Sequence, residues 1–145
     1  MSAPASSEER EQPELTIVLV DDDPLMHRML VPRLEEMATR PRIARVRGVR
    51  TPEEAMDETL RAPAGPLAVV SDFNLRASKN GLQLLREIRG VRPDALRVLF
   101  SGYSLEQLGD VHGGGDADAF LEKPLLLDDL IGPLQGLIER RFASS

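Results

Sequence analysis

Short apolar runs alternate along the chain with stretches whose apolar residues recur at helical spacing. Leu15–Val20 (LTIVLV) is rich in β-branched residues and short enough for a buried strand. Asp23-Pro24 follows it, an N-cap residue and then a proline at the first helical position, where its missing N–H is no loss. Met26, Met29, Leu30, Leu34 and Met37 then predict a helix, with the methionines as core filler, and Pro32 inside it removes a backbone bond and predicts a kink. Ile43–Val49 reads as a weaker, half-buried strand. Thr51-Pro52-Glu53-Glu54 has the form of a capping box, Thr51 as cap and Glu54 reaching back, and opens a helix whose face is Ala55, Met56, Thr59 and Leu60. Leu67–Val70 (LAVV) and Leu96–Phe100 (LRVLF) predict fully buried strands, separated by a helix marked by Leu82, Leu84, Leu85 and Ile88. Leu105–Val111 predicts a short helix ended by Gly113, and Ala119–Leu121 a fifth strand. Leu130, Leu134, Leu137 and Ile138 mark a last amphipathic helix with Pro133 near its start.

Five strands alternating with five helices predict an α/β fold, a doubly wound parallel sheet with helices on both faces. Of the two common strand orders, 2-1-3-4-5 suits a chain of five units. The first fourteen residues, MSAPASSEEREQPE, are small, polar and acidic and predict a disordered tail. The domain then spans 15–142, with a short C-terminal tail over 143–145 and no signal-peptide pattern at the start.

Composition narrows the chemistry. The 145 residues contain no cysteine, which excludes disulfides, thiolate metal sites and cysteine nucleophiles. A net charge of −6 without a dense basic stretch predicts neither nucleic-acid nor anionic-membrane binding. At 3% aromatics, stacking platforms for bases are not expected either. No run approaches the roughly 20 apolar residues of a membrane span.

Ligands of doubly wound sheets bind beyond the carboxyl ends of the strands, so the residues that follow each strand matter most. They are Asp21-Asp22-Asp23, Ser71-Asp72, Ser101-Gly102 and Glu122-Lys123-Pro124. Taken singly, Asp72 would be a turn residue, Ser101 a satisfied loop hydroxyl and Lys123 a solvated lysine. With order 2-1-3-4-5 they converge on one crevice. Crowded carboxylates repel, and a hard divalent cation relieves them: magnesium takes oxygen ligands and needs only one or two protein carboxylates beside phosphate oxygens. A lysine opposite it neutralises phosphate charge. That set suits phosphoryl transfer onto a carboxylate. Asp23 is assigned only the cap, and His27 and His112, without metal-ligand spacing, are assigned to the surface.

The segments VLVDDD, VVSDFNL, VLFSG and FLEKP, in this order and each at a strand end, resemble the receiver domain of response regulators, typified by the chemotaxis response regulator. The resemblance runs from about Leu15 to Phe142 and carries the flavodoxin-like strand order with it. It implies that Asp72 takes a phosphoryl group from a histidine kinase or phosphotransfer protein. It makes Asp22 the direct Mg2+ ligand, Asp21 its partner through water, and Asn74 a ligand through its backbone carbonyl. Lys123 becomes the phosphate-neutralising lysine, Ser101 the hydroxyl that bonds the phosphoryl group and moves on activation, and Phe120 the aromatic that switches with it. It also implies a cis bond between Lys123 and Pro124.

Two departures stand out: Arg76 occupies the position where the family usually has proline, and the run from Arg76 to Gly81 is one residue longer. The expected protein is a cytoplasmic, bacterial response regulator, stand-alone or a receiver cut from a longer chain, and no enzyme beyond catalysing its own phosphorylation and dephosphorylation. Its output is expected through the surface of the fourth helix, fifth strand and fifth helix, toward an unidentified protein target. The three glycines at 113–115 loosen that surface and favour a monomer. The rival is a pseudo-receiver, a phosphorylation-independent interaction module, whose mark would be a lost acidic pair, aspartate or lysine. A dehalogenase-like phosphatase would need an aspartate where Asn74 stands.

Overall fold

The computed structural model describes residues 13–102, 116–123 and 127–143. Five strands, β1 (Glu14–Val20), β2 (Arg42–Val49), β3 (Leu67–Asp72), β4 (Leu96–Ser101) and β5 (Ala119–Glu122), form one parallel sheet in the order β2-β1-β3-β4-β5. The described helices are α1 (Pro24–Glu35), α2 (Pro52–Arg61), α3 (Gly81–Val91) and α4 (Asp128–Phe142). The helix expected over 105–111, the N-terminal tail up to residue 12 and the Lys123–Pro124 bond lie outside the described residues. Among those described, the cis bond joins Arg40 to Pro41.

The two-residue period of the strands divides the core between the faces of the sheet. Leu15, Ile17 and Leu19 of β1 pack with Leu30 and Leu34 of α1 and with Leu130, Leu134 and Ile138 of α4. Val18 and Val20 point the other way, toward Ala55 of α2 and Leu82, Leu85 and Ile88 of α3. Every residue of β3 and β4 is buried, as expected of central parallel strands covered on both sides. At the edge, β2 exposes Arg42, Ala44, Arg45, Arg47 and Gly48, and this row of charge guards its free backbone against pairing with another chain.

The helix starts follow their caps, with one revision. Asp23 accepts the Leu25 N–H at 2.9 Å and Pro24 occupies the first helical position. Asn80 and Gln83 exchange both bonds of a full capping box at α3. At α2 only half of the expected box forms. The Glu54 N–H donates to Thr51 Oγ1 at 3.1 Å, but the Glu54 carboxylate accepts from the Arg50 N–H, one residue before the cap. Two face assignments also change: Leu60 is 62% exposed and Met29 43% exposed, so neither is core. The apolar stripe that touches the sheet is narrower than the one the helical period outlines. α1 runs three residues past Pro32, to Glu35.

Candidate functional site at the carboxyl ends of β1, β3 and β5

Parallel strands all end on one side of the sheet, so β1, β3 and β5 deliver their terminal residues to the same place. Asp21 directly follows β1, Asp72 closes β3 and Lys123 follows β5. Asp21, Asp22 and Asp72 each place a carboxylate oxygen within 4.8 Å of the others. Lys123 Nζ stands 3.3 Å from Asp72 Oδ1 and 3.6 Å from Asp21 Oδ2. The same ammonium lies over the Phe100 ring, 5.2 Å from its centroid, a cation–π contact that holds it at the mouth of the site.

Each carboxylate is fixed by its backbone. The Asp21 N–H donates to the Val49 carbonyl at 3.1 Å, tying the end of β1 to β2. Asp21 Oδ1 accepts the Asp23 N–H at 2.9 Å, whereas its Oδ2 is buried and accepts no hydrogen bond. His27 Nε2 lies 2.7 Å from the Asp21 carbonyl oxygen. A carbonyl only accepts, so Nε2 carries the proton and donates it. His27, assigned to the surface from sequence, thus braces the first turn of α1 against the site. Behind Asp72, the Ser71 hydroxyl donates to the Asp72 carbonyl at 2.9 Å, and the Gly81 N–H donates to the Phe73 carbonyl at 2.7 Å, closing the loop after β3 at its base.

Electrostatics follow from this crowding. Asp72 is 7% exposed, and its pKa is raised to about 6, first by burial. Lys123 opposes the rise and the neighbouring charge of Asp21 adds to it. A buried oxygen with no donor, inside a cluster of three carboxylates, is an oxygen donor set without enough positive charge. A small hard cation fits it, with Asp21, Asp22 and Asp72 as the residues that would hold it.

The other expected residues fall nearby. Ser101 is buried at the end of β4, and its carbonyl accepts the Lys123 N–H at 2.7 Å. Phe120, paired with Leu99, packs half-buried against the core on the α2–α3 face. The Asn74 side chain accepts the Arg76 N–H at 3.2 Å and bends the loop. Sequence reasoning missed the His27 brace, the Phe100 ring under Lys123 and the ion pair of Arg76 Nε with Asp22 Oδ2 at 3.5 Å. In the sequence, Arg76 stands out only as a departure from the family pattern. Among the described residues no helix is long and apolar enough to cross a membrane.

No family model matches the sequence, and no curated protein does. Solved structures match it over most of its length. The signal receiver domain of an HD-domain-containing protein from Pseudomonas fluorescens Pf-5 is 22% identical, with a TM-score of 0.70 over 92% of this chain and 91% of that one. The response regulator TrrA from Thermotoga maritima, solved in complex with Mg(2+)-BeF, is 24% identical, with a TM-score of 0.68 over 84% and 97%. A CheY-like receiver domain protein from Methanospirillum hungatei JF-1 is 22% identical, with a TM-score of 0.68 over 90% and 98%. The sheet order, the helices on both faces and these matches agree: the chain has the fold of a response-regulator receiver domain.

Proposed function

We propose that the chain is a phosphorylatable, magnesium-dependent receiver that takes a phosphoryl group from a histidine kinase or phosphotransfer protein onto Asp72. The observation that carries this reading is the convergence of Asp21, Asp22, Asp72 and Lys123 at the carboxyl ends of three strands. The pseudo-receiver reading would be favoured by a missing member of that set, and all four are in place.

In the transfer, a carboxylate oxygen of Asp72 attacks phosphorus. A P–O bond forms as the P–N bond to the donor imidazole breaks, and the imidazole nitrogen keeps the electron pair and is then protonated. Asp72 must be ionised to attack, and Lys123 beside it favours that form. The lysine also balances charge gathering on the phosphoryl oxygens. When bound at Asp21, Asp22, Asp72 and the Asn74 carbonyl, Mg2+ supplies charge neutralisation that the single lysine cannot. Ser101, at the end of β4, is the hydroxyl assigned to a phosphoryl oxygen, and Phe120 the aromatic that turns with it. By this reading the protein is no enzyme toward other substrates, and it acts in the bacterial cytoplasm.

The test is incubation with magnesium and a small phosphodonor, followed by intact mass. Wild type gains one phosphoryl group and Asp72→Asn gains none. Equal labelling of the variant would overturn the assignment. The downstream partner is a protein reached through β5 and its flanking helices, and the chain is monomeric with or without phosphate. Sedimentation with and without beryllofluoride checks this, and a phosphorylation-dependent dimer at micromolar concentration contradicts it. The NtrC4 receiver solved with beryllofluoride is a dimer, so the contradicting outcome has precedent in this fold.

A further inference from the structure

The three carboxylates divide between two cations of the protein itself. Lys123 reaches Asp21 and Asp72, and Arg76 reaches Asp22 with Nε at 3.5 Å from Oδ2. Arg76 is aimed there by its backbone. Its φ of +52° lies in the left-handed region, unusual for a residue with a long side chain, and it is the one non-glycine residue in that region among those described. On one side the Asn74 side chain accepts the Arg76 N–H. On the other, Leu75 is 3% exposed and anchored in the core with Leu82 and Leu85. The guanidinium itself remains largely in solvent, free to swing away.

We infer that Arg76 is a built-in competitor for the divalent cation: it occupies Asp22 when the metal is absent and has to leave when the metal binds. The inference rests on the reading of the acidic cluster as a magnesium site. Its consequence is a site with lowered Mg2+ affinity. A magnesium ion at Asp22 sets a double positive charge beside the guanidinium, so losing the ion pair and the repulsion between the two cations both weigh against metal binding. Because the pair is exposed, the effect is modest.

Isothermal titration of the unphosphorylated protein with MgCl2 alone tests it. Arg76→Gln is expected to bind Mg2+ about two- to fivefold more tightly than wild type, the range that an exposed ion pair allows. Arg76→Lys, which keeps a cation on the loop, stays near wild type. Arg45→Gln, which removes the same charge from exposed β2, separates the local pair from a general change in net charge. Arg76→Gly, which also suits the left-handed backbone, tightens binding as Arg76→Gln does, so the result does not depend on one side chain's fit. Unchanged affinity in Arg76→Gln and Arg76→Gly, or an equal gain in Arg45→Gln, overturns the inference while leaving the metal site standing. If Asp22→Asn binds Mg2+ as well as wild type, the acidic cluster is no magnesium site, and the inference falls with it.

Discussion

Asp72 is the residue at which folding and chemistry oppose each other. The proposed transfer needs its carboxylate ionised, and burial at the end of β3 raises its pKa to about 6 from an ordinary 3.8. Between those two values the folded protein holds a proton on Asp72 that the unfolded chain has already released. Stability therefore falls as pH rises through this window, the reverse of an ordinary salt-bridged aspartate. In protein kept free of divalent cations with a chelator, thermal melts should show wild type losing stability between about pH 4 and 6.5 relative to Asp72→Asn. At neutral pH the variant should be the more stable by up to about 3 kcal/mol. Parallel pH profiles for the two proteins would show that Asp72 is not strained by its burial. The His27 bond to the Asp21 carbonyl is a contrasting case, a residue whose role depends entirely on which backbone oxygen the first turn of α1 meets. Nothing in the spacing of His27 announces that.

At the scale of elements, the strands were legible to within one or two residues, because a buried parallel strand has to be a short apolar run and few other segments of this chain are. The site was legible for the same reason: Asp21, Asp72 and Lys123 are the polar residues that interrupt or follow those runs, and a parallel sheet brings its strand ends together. Illegible were the features set by close three-dimensional approach. Leu60 and Met29 fit the helical period yet face water, since the period says nothing of how wide a stripe the sheet covers. The role of Gly81 was equally hidden. A Cβ on that residue would collide with the Asp72 carbonyl group and with Ser71 Oγ, so the start of α3 packs directly on the backbone of Asp72. Gly81→Ala should cost about 1–3 kcal/mol in urea denaturation, because the obstructing atoms are mainly backbone and cannot step aside. It should also slow labelling of Asp72. Gly90→Ala is the matched control near the other end of α3, where the added methyl meets open space and gains up to about 1 kcal/mol of helix propensity. Equal effects of the two substitutions would refute the close-packing argument.

Across the whole molecule, the half of the sheet that bears Lys123 is held by charge as well as by apolar packing. β4 carries Arg97 in the middle of an apolar run, 4% exposed. Its guanidinium reaches Asp118 at 3.0 Å and the Asp116 carbonyl at 2.5 Å, while the Asp118 carboxylate also accepts the Arg97 backbone N–H at 2.8 Å. Arg141 of α4 approaches the same carboxylate at 3.5 Å, and Arg86 of α3 pairs with Asp116 at 2.6 Å. Asp116 and Asp118 immediately precede β5, so this network ties the start of that strand to β4 and to the helices on both faces. β5 is the shortest strand and none of its residues is fully buried, so hydrophobic burial alone holds it weakly. Removing Asp118 takes from the buried guanidinium the carboxylate it is paired with, which costs more than exchanging the pair for apolar groups. Asp118 itself is exposed and Arg97 keeps the Leu85 and Asp116 carbonyls, so Asp118→Ala is expected to lose about 1–3 kcal/mol. In the Arg97→Met/Asp118→Leu double variant, where no buried charge is left behind and the part-exposed Arg141 can turn to water, much of that loss should return. A second readout follows from the geometry. Lys123 stands just past the end of β5, so loosening the strand should lower the rate of Asp72 labelling in Asp118→Ala at temperatures where the protein is still folded. If Asp118→Ala costs less than about 1 kcal/mol, or if the double variant is no more stable than the single one, β5 is held by its backbone pairing to β4 and the charge network is incidental to it.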